Sequence, residues 1–502
     1  MTALATLLCA CEPIAALKPW PGRRADSARW SAAAQALGRG EGEFFGLWSD
    51  GQTVYMAVRP SERSDAVTVL TIAAAGGRYP SVGAHLPAAQ RLERTLRDLY
   101  GLTPEGLEDA RPWIDHCMWT LRHPGRDPTP HAPAPTPYPF LPVRGEGLHQ
   151  IAVGPIHAGV IEPGHFRFTA NGETIVRLEE RFGYAHRGVE LALAGAPLAR
   201  ATRVAARVCG DSTVAYGWAF ARAVEAATGA EPPARALWIR GLMAEMERIA
   251  NHLGDIGAIC NDAAFALLHA HCAVLRERTL RVCATAFGHR LMMDGIIPGG
   301  LAHDLSGDGA AALDDLVTEI EDKTPALWRV YDETASLQDR TVGTGVLSPV
   351  LARRFAAGGF VGRASGRRFD ARRVFAYPPY DRLPLVVAGL EAGDVDARVR
   401  VRMREVEQSL ALVRQILAHM PPGPVAITPP AVDGEGVALV EGFRGDVLAW
   451  ARMEGGMVAR AHLRDPSWFQ WPLLEAAIDG AIVADFPLCN KSFNCAYAGC
   501  DL

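Results

Sequence analysis

Two short segments far apart in the chain each place a serine three residues after a cysteine. Residues 207–212 read Arg-Val-Cys-Gly-Asp-Ser, and residues 485–492 read Asp-Phe-Pro-Leu-Cys-Asn-Lys-Ser. A cysteine thiolate binds soft metal ions well, whereas a serine hydroxyl does not ionise near neutral pH and is a poor nickel ligand. At these spacings only Cys209 and Cys489 offer sulfur to a metal. The alternative is that both are small buried thiols with a packing role.

A second candidate group is the carboxylate of Glu162, which precedes Pro163 in a stretch rich in Gly and Pro. We expect a partly desolvated carboxylate in such a turn to be able to relay protons. The alternative is an ordinary glutamate in a turn.

Composition excludes several classes of protein. The 502 residues are 49% hydrophobic and 21% charged, which is typical of a globular chain of two or three domains. A net charge of −5 without basic runs argues against nucleic acid as a partner. The ten cysteines have no regular spacing, which favours a reducing compartment over a secreted disulfide framework.

The sequence offers no obvious membrane or export segment. Residues 1–17 are apolar but lack a basic start and contain Glu12, so they predict a first helix or strand rather than a signal peptide. No run reaches the roughly 18 to 20 apolar residues that a membrane span needs. We therefore expect any membrane association to come through partners.

A proline-rich stretch at 123–142 predicts an extended linker, because it is incompatible with a helix or a central strand. Before it, strand patterns at 52–58 and 66–72 and a helix pattern at 87–100 predict an α+β module. After it, long helical patterns predict a mainly α-helical domain; they cover 197–228, 233–258, 263–287, 310–337 and 397–418. The predicted domains are 1–122, a linker at 123–147, and 148–502.

The N-terminal module carries a short set of motifs: Tyr79-Pro80-Ser81, the run 93–102 (Glu-Arg-Thr-Leu-Arg-Asp-Leu-Tyr-Gly-Leu), Gly106 and Arg111-Pro112. This set resembles the 30-kDa subunit of respiratory complex I and its fused counterpart in formate-hydrogenlyase-type hydrogenases. The alternative for the run is an amphipathic helix with ordinary ion pairs such as Glu93 with Arg97.

A longer series of motifs follows the linker, in the order Gly154-Pro155-Ile156-His157, 162–168, 184–190, 245–248, 251–253, 288–290, 298–300, 363–366, 370–372, Pro379-Tyr380, 393–395 and 441–445. From about Leu148 onward, the series resembles the complex I 49-kDa subunit and the large subunit of group 4 nickel-iron hydrogenases. The resemblance implies a hydrogenase large-subunit-like fold for this part of the chain.

The resemblance also gives the Cys-x-x-Ser segments a meaning. In the hydrogenases both read Cys-x-x-Cys and together hold nickel and iron, and the second cysteine of each pair bridges the metals. Here Ser212 and Ser492 occupy the bridging positions, so we expect a degenerate site without a nickel-iron centre. Arg444 matches an arginine near that centre, and we expect it to pair with Asp485 or Asp211 instead. Cys495 and Cys500 do not have the paired spacing.

The resemblance to complex I covers only some of the residues that contact a quinone there. His157 lies in the loop that resembles the quinone-contacting loop of complex I, where a histidine can donate a hydrogen bond or proton to a quinone oxygen. Complex I also has a tyrosine at the segment around Cys209, but here the nearest phenol is Tyr216, about two helical turns away. An isolated loop histidine with a structural role is the alternative.

These observations predict the large subunit of a membrane-associated, hydrogenase-related or complex I-like oxidoreductase complex that couples electron transfer to ion translocation. By resemblance, its partners are a small subunit holding an iron–sulfur cluster and antiporter-like membrane subunits at the cytoplasmic face of the inner membrane. Two alternatives remain open: an active quinone- or proton-reducing subunit that uses Glu162, His157 and Arg444, and a catalytically silent structural subunit. No glycine-rich fingerprint for a nicotinamide is present, and we expect no proteolytic processing after Ser492.

Overall fold

The structure is a computed structural model that describes residues 2–126, 128–159 and 161–502. Its N-terminal part is an α+β module. The helices are α1 (Ala3–Cys9), α2 (Ser27–Gly38) and α3 (Gln90–Tyr100), and the strands are β1 (Glu12–Ile14), β2 (Leu17–Lys18), β3 (Gly22–Arg24), β4 (Glu43–Ser49), β5 (Thr53–Arg59), β6 (Thr68–Ala73), β7 (Arg78–Pro80) and β8 (Thr103–Glu105). The main sheet has the order β1-β3-β6-β5-β4, and only its β3–β6 pair is parallel.

Helix α3 confirms the predicted helix, but it does not contain the ion pair of the alternative interpretation. Its chain continues into Gly101, whose φ of +65° ends the helix in the left-handed region. The Glu93 carboxylate is fully buried and accepts hydrogen bonds from the Ser81 hydroxyl at 2.6 Å and from the Val82 main-chain N–H at 2.7 Å. Burial raises its pKa to about 7. Arg97 donates to the carbonyl oxygen of Ala110, so Glu93 and Arg97 do not form the ordinary ion pair of the alternative interpretation.

Among its described residues, the proline-rich segment contains no helix or strand beyond Pro130. Two short strands, β9 (Leu121–Arg122) and β10 (Thr129–Pro130), pair near its start. Farther along, the Tyr138 hydroxyl accepts a hydrogen bond from Arg94 of α3 at 2.6 Å, and the Leu141 main-chain N–H donates to Glu179 at 3.0 Å. The segment is therefore bound to both of the parts that it joins.

Three sheets in the second part were not predicted, and one of them is only a pair of two-residue strands at 296–297 and 300–301. The first is the antiparallel meander of β11 (Leu148–Val153), β12 (His165–Asn171) and β13 (Thr174–Arg181). The other strands are β14 (Ala196–Pro197), β15 (Ile296–Ile297), β16 (Gly300–Leu301), β17 (Gly434–Gly442), β18 (Gly445–Glu454) and β19 (Met457–Arg464). The second sheet has the order β14-β19-β18-β17-β2, so the N-terminal strand β2 pairs in parallel with β17 and ties the two parts together.

Helices make up most of the second part, as predicted. They are α4 (Val189–Leu193), α5 (Leu198–Ala205), α6 (Thr213–Thr228), α7 (Ala234–Asp262), α8 (Ala266–Phe287), α9 (Gly307–Glu333), α10 (Ala335–Thr341), α11 (Pro349–Arg354), α12 (Gly359–Ala364), α13 (Ala371–Val374), α14 (Val395–His419), α15 (Ser467–Ala477), α16 (Phe486–Phe493) and α17 (Ala498–Asp501). Among the described residues, none of them combines the length and the apolar composition needed to cross a bilayer.

Two predicted helices are interrupted. The pattern at 310–337 breaks at Thr334, whose ψ of 95° is not helical, and divides into α9 and α10. The pattern at 197–228 breaks between α5 and α6, where Cys209 is extended and 210–212 form a single 3₁₀ turn. Apolar periodicity does not detect such a break, because the break depends on where the polar side chains of the loop find partners.

Helix α6 lies directly on the second sheet because glycines allow a close approach. A Cβ atom added at Gly436 of β17 would lie only 1.9 Å from the carbonyl oxygen of Ala223 in α6. On the other side α7 packs against both α8 and α14. This arrangement brings the loop before α6, the β17–β18 turn, α7 and α16 to one region of the molecule.

Candidate functional site

The loop that interrupts the predicted helix holds the first cysteine beside an acidic side chain. Cys209 is buried, and its thiol donates a hydrogen bond to the Asp211 carboxylate at 2.9 Å. The Ser212 hydroxyl donates to the same carboxylate oxygen at 3.1 Å. Asp211 is therefore the centre of this half of the site.

Arg444, in the tight turn between β17 and β18, forms an ion pair with that aspartate. Its guanidinium donates to both Asp211 oxygens, at 2.7 and 2.5 Å, and to the Ser212 hydroxyl at 3.0 Å. Its Nε donates to the carbonyl oxygen of Asn494, just after α16. Of the two partners expected for Arg444, the structure shows Asp211; Asp485 binds Arg340 at 3.0 Å instead.

The charges in this loop fix the protonation states. Burial alone would raise the pKa of Asp211, but the charge and hydrogen bonds of Arg444 outweigh it and hold that pKa below its usual range. Burial, reinforced by Asp211, raises the pKa of the Cys209 thiol well above its ordinary value, although Arg444 opposes the shift. At neutral pH the loop therefore contains an ion pair beside an un-ionised thiol.

The second cysteine lies in a different environment on α16. Ser492 accepts a hydrogen bond from the Nε of Arg398 at 2.9 Å and donates one to the carbonyl oxygen of Cys489 at 2.6 Å. A Cβ atom added at Gly345 would lie 2.7 Å from the Cys489 sulfur, so the thiol packs against that glycine. Burial raises the pKa of Cys489 to about 11 despite the nearby Arg398 charge.

The two halves are joined by Asp255 of α7, which sequence reasoning missed. Its carboxylate accepts hydrogen bonds from Lys491 at 3.1 Å and from the side chain of Asn494 at 3.0 Å, and lies 3.4 Å from Arg402. Arg398 and Arg402, four residues apart on α14, were also missed. Their spacing places them on one face of a helix, but a lone arginine pair does not reveal which residues it will meet.

A polar cavity of about 310 Å³ opens beside these residues, lined by Asp211, Asn251, Asp255, Lys491 and Asn494 and, toward its rim, by His269, Arg276 and Glu277. Burial would raise the pKa of Asp255, but Lys491 and Arg402 lower it below its usual value. The carboxylates of Asp211 and Asp255 in the wall of this cavity are therefore already paired with basic side chains. Within the described residues, no group of three or more His, Cys, Asp or Glu side chains has the arrangement that a metal ion needs.

Glu162 and His157 are held away from the Arg444 ion pair. Glu162 is exposed, so the expectation of a partly desolvated carboxylate is wrong: the turn leaves it open to solvent, and one oxygen accepts a hydrogen bond from the Ala498 main-chain N–H at 3.0 Å. His157 is half-buried, and its Nε2 lies 2.8 Å from the carbonyl oxygen of Gly164. No hydrogen bond or ion pair between described residues links either side chain to Asp211 or Arg444.

The phenol that follows Cys209 most closely in the sequence, Tyr216, already has a hydrogen-bond acceptor within the protein. Tyr216 is fully buried in α6, and its hydroxyl donates to Asp465 at 2.6 Å. Burial and the Asp465 charge raise the pKa of Tyr216 well above its ordinary value, and Cys209 is close enough to contribute. The phenol is therefore occupied by a protein acceptor.

Comparison with known proteins agrees with this architecture. Three family models match in succession: the 30-kDa subunit of respiratory-chain NADH dehydrogenase at 40–134, nickel-dependent hydrogenase at 187–254, and the 49-kDa subunit of respiratory-chain NADH dehydrogenase at 264–433. Formate hydrogenlyase subunit 5 of Escherichia coli is 32% identical over 84% of this chain and 77% of its own length. The chain belongs to the hydrogenase and complex I large-subunit family.

Other relatives place this family member among subunits of membrane complexes. The carbon monoxide-induced hydrogenase of Rhodospirillum rubrum is 32% identical over 69% of this chain and 97% of its own length. A solved archaeal respiratory membrane complex, the membrane-bound sulfane sulfur reductase, contains a chain that superposes with a TM-score of 0.67 at 28% identity, covering 73% of this chain and all of that one. The predicted family and its fused 30-kDa-like part are thus confirmed.

Proposed function

We propose that this chain is the large subunit of a membrane-associated, energy-converting oxidoreductase complex in which the ancestral metal site is replaced by ion pairs. The observation that carries the proposal is the pairing of Arg444 with Asp211 and Ser212, with Arg398 on Ser492. Both hydroxyls at the bridging positions are bound by guanidinium groups.

A nickel-iron centre does not fit these residues. Only two of the four ligand positions carry sulfur, and burial keeps both thiols protonated at neutral pH, with the pKa of Cys489 near 11. Metal ligation by cysteine requires the thiolate. Guanidinium groups repel a cation in the same space. We therefore assign no reaction step to a nickel-iron centre.

The site instead supplies a set of charges in a region of low dielectric. In the proposed complex, a small subunit brings an iron–sulfur cluster near the Arg444 ion pair, and antiporter-like subunits lie in the membrane below, at the cytoplasmic face. Such a cluster would supply electrons, and the negative charge of an added electron would favour proton uptake by nearby groups and redistribute the ion pairs. Coupling to ion translocation follows from that change in charge.

An active quinone- or proton-reducing subunit is the second candidate. The bonding of His157 to Gly164 and the exposed position of Glu162 leave both side chains near the surface of the 154–164 loop, where they could meet a quinone bound by a partner. The occupied Tyr216 phenol weighs against a quinone at Cys209 itself.

Activity of the purified complex with an artificial electron donor separates these functions. The acceptors are a quinone, protons, measured as hydrogen evolved, and a polysulfide. An active reductase predicts loss of turnover with one acceptor in Glu162→Gln or His157→Ala. The proposed coupling subunit predicts that these variants keep electron transfer and that Arg444→Lys lowers ion transport per electron. A silent structural subunit predicts that none of the three variants changes either quantity, a result that would overturn the proposal.

A further inference from the structure

A cavity of about 540 Å³ lies on another face of the molecule, where three segments of the chain meet. Its walls come from residues 112–117 of the N-terminal part, from 136–140 of the proline-rich segment, and from strands β12 and β13 with the loop that follows them. The family comparisons assign no role to this junction. Its volume falls within the range that holds small ligands in proteins, about 300 to 1,000 Å³.

Aromatic rings form much of the wall. Tyr138 and Phe140 of the proline-rich segment lie with ring centroids 4.9 Å apart, and Tyr184 meets the His116 ring edge-on at 4.4 Å. Burial is the largest cause of the lowered pKa of His116, so this imidazole is neutral at pH 7. The Arg181 guanidinium already lies over the Tyr138 ring, 4.3 Å from its centroid, and Arg167 lies over Phe140, so Tyr184 is the ring of this wall that offers a face for stacking a flat ring.

Arg181 supplies an uncompensated positive charge at the cavity. It is only 3% exposed and donates to the main-chain carbonyl oxygens of Pro112 at 2.9 Å, of Asp115 at 3.0 Å, and of Trp113. No carboxylate of a described residue lies within ion-pairing distance of its guanidinium. Burial is the largest cause of the lowered pKa of Arg181, and no directly paired carboxylate offsets it.

Part of that guanidinium remains without an acceptor. A guanidinium has five N–H donors, and the three hydrogen bonds of Arg181 use both hydrogens of Nη1 and one of Nη2. The Nε hydrogen and the second Nη2 hydrogen have no protein acceptor among the described residues. The Nε and Nη2 atoms form one edge of the guanidinium, and such an edge can bind two oxygens of a phosphate or carboxylate.

A second arginine reinforces the charge. Arg167 lies over the Phe140 ring, 4.5 Å from its centroid, and its Nε donates to the Nε2 of His165 at 3.3 Å. It too has no carboxylate partner among the described residues. The neighbouring Arg111 differs, because it is paired with Asp109 at 2.7 Å. Asp115 alone places a carboxylate on the cavity wall, so cationic groups outnumber anionic ones there.

We propose that this cavity binds an aromatic phosphate of mononucleotide size, with the ring stacked on Tyr184 and the phosphate on Arg181 and Arg167. The volume favours a ligand of this size over a simple benzoate. The ligand bridges the N-terminal part, the proline-rich segment and the β12–β13 hairpin. The site is separate from the Arg444 ion pair, so this proposal does not depend on the proposed function.

Calorimetric titration of the purified full-length chain tests the proposal, with adenosine 5′-monophosphate as the probe and adenosine and inorganic phosphate as its two parts. We expect saturable binding of one probe molecule per chain, with a dissociation constant below about 1 mM, and at least about tenfold weaker binding of either part. Absence of saturation, or equal binding of phosphate alone, would overturn the proposal.

Variants assign the binding to the cavity. Arg167→Gln and Arg181→Lys are expected to weaken the probe at least about tenfold, or about 1.4 kcal/mol. Tyr184→Leu should weaken the probe without affecting phosphate. Arg177→Gln is the matched control, because Arg177 lies on the same strand as Arg181 and donates to the carbonyl oxygen of Leu141 but does not line the cavity. Since Arg181 also holds the 112–115 segment, Arg167→Gln carries the test if Arg181→Lys does not fold. Equal effects of Arg167→Gln and Arg177→Gln would place the probe elsewhere.

Discussion

At the scale of single residues, arginines bind the two serines that stand where the family resemblance predicts bridging cysteines. Arg444 binds Ser212 and Asp211, and Arg398 binds Ser492, so each hydroxyl at a bridging position has a cationic partner. A serine in place of a cysteine would by itself leave a hydroxyl to be satisfied in a buried site. The guanidinium groups satisfy it and add a charge.

Removing the Arg444 charge is expected to destabilise the chain. Arg444→Met leaves Asp211 without its counter-ion, and loss of one partner of a buried ion pair costs about 3 to 5 kcal/mol. We expect about 2 to 4 kcal/mol, because Asp211 keeps some contact with solvent. Denaturant unfolding measures the change. The double variant Arg444→Met/Asp211→Asn should recover part of it; a double variant no more stable than the single one would contradict an ion pair.

The buried carboxyl of Glu247 should make the folded state less stable as the pH rises, whereas an ion-paired acid has the opposite effect. Burial, with a contribution from Asp211, raises its pKa to about 8 from an ordinary 4.5. A raised acid pKa stabilises the folded state below pH 4.5, and this contribution is lost as the pH rises to about 8. Glu247→Gln should therefore reduce the fall in unfolding free energy between pH 5 and 8, by on the order of 1 to 3 kcal/mol. An unchanged pH profile would contradict this assignment.

At the scale of elements, periodicity predicted those that bury one continuous apolar face. Helices α7, α8 and α14 lie within a few residues of their predicted bounds. Asp394 caps the start of α14, because its side chain accepts a hydrogen bond from the Ala397 N–H at 2.7 Å. The Cys209 loop and strands β17 to β19 were missed. The loop is fixed by partners distant in sequence, and these strands are almost wholly buried, so they lack the alternation that marks a half-buried strand.

The contact between α6 and β17 should be intolerant of added volume. Gly436→Ala places a Cβ atom 1.9 Å from the Ala223 carbonyl oxygen, so the helix or the strand must move. We expect a loss at the upper end of the usual overpacking range, about 3 kcal/mol, visible as a lower thermal midpoint. Gly307→Ala is the control, because nothing lies within 4 Å of its added Cβ. Equal midpoints for the two variants would contradict the packing.

At the scale of the whole molecule, the two parts share polar contacts as well as strand pairing. Arg464 of β19 donates to the Phe45 carbonyl oxygen at 2.9 Å, and Arg367 pairs with Glu43 at 2.8 Å. Arg452 of β18 donates to Asp50 at 2.9 Å. The sequence predicted a module, a linker and a second domain, but it did not predict these contacts between the two parts. Contacts between residues that are hundreds of positions apart leave no recognisable pattern in a short stretch of sequence.

These contacts between the two parts predict that the chain unfolds as one unit. Scanning calorimetry should show a single transition, and Glu43→Gln should lower its midpoint without splitting it, because the Arg367 contact is part of the shared interface. Two resolved transitions, with only one moved by the substitution, would show that the predicted domains at 1–122 and 148–502 are independent.

The central claim is that ion pairs have replaced a metal centre in a hydrogenase-related large subunit. Nickel is the element to measure, because iron is also expected in the cluster of a partner subunit. Elemental analysis of the purified native complex should give no stoichiometric nickel, and X-ray absorption should detect no nickel–sulfur bonds. About one nickel per chain, bound by the sulfurs of Cys209 and Cys489, would contradict the account.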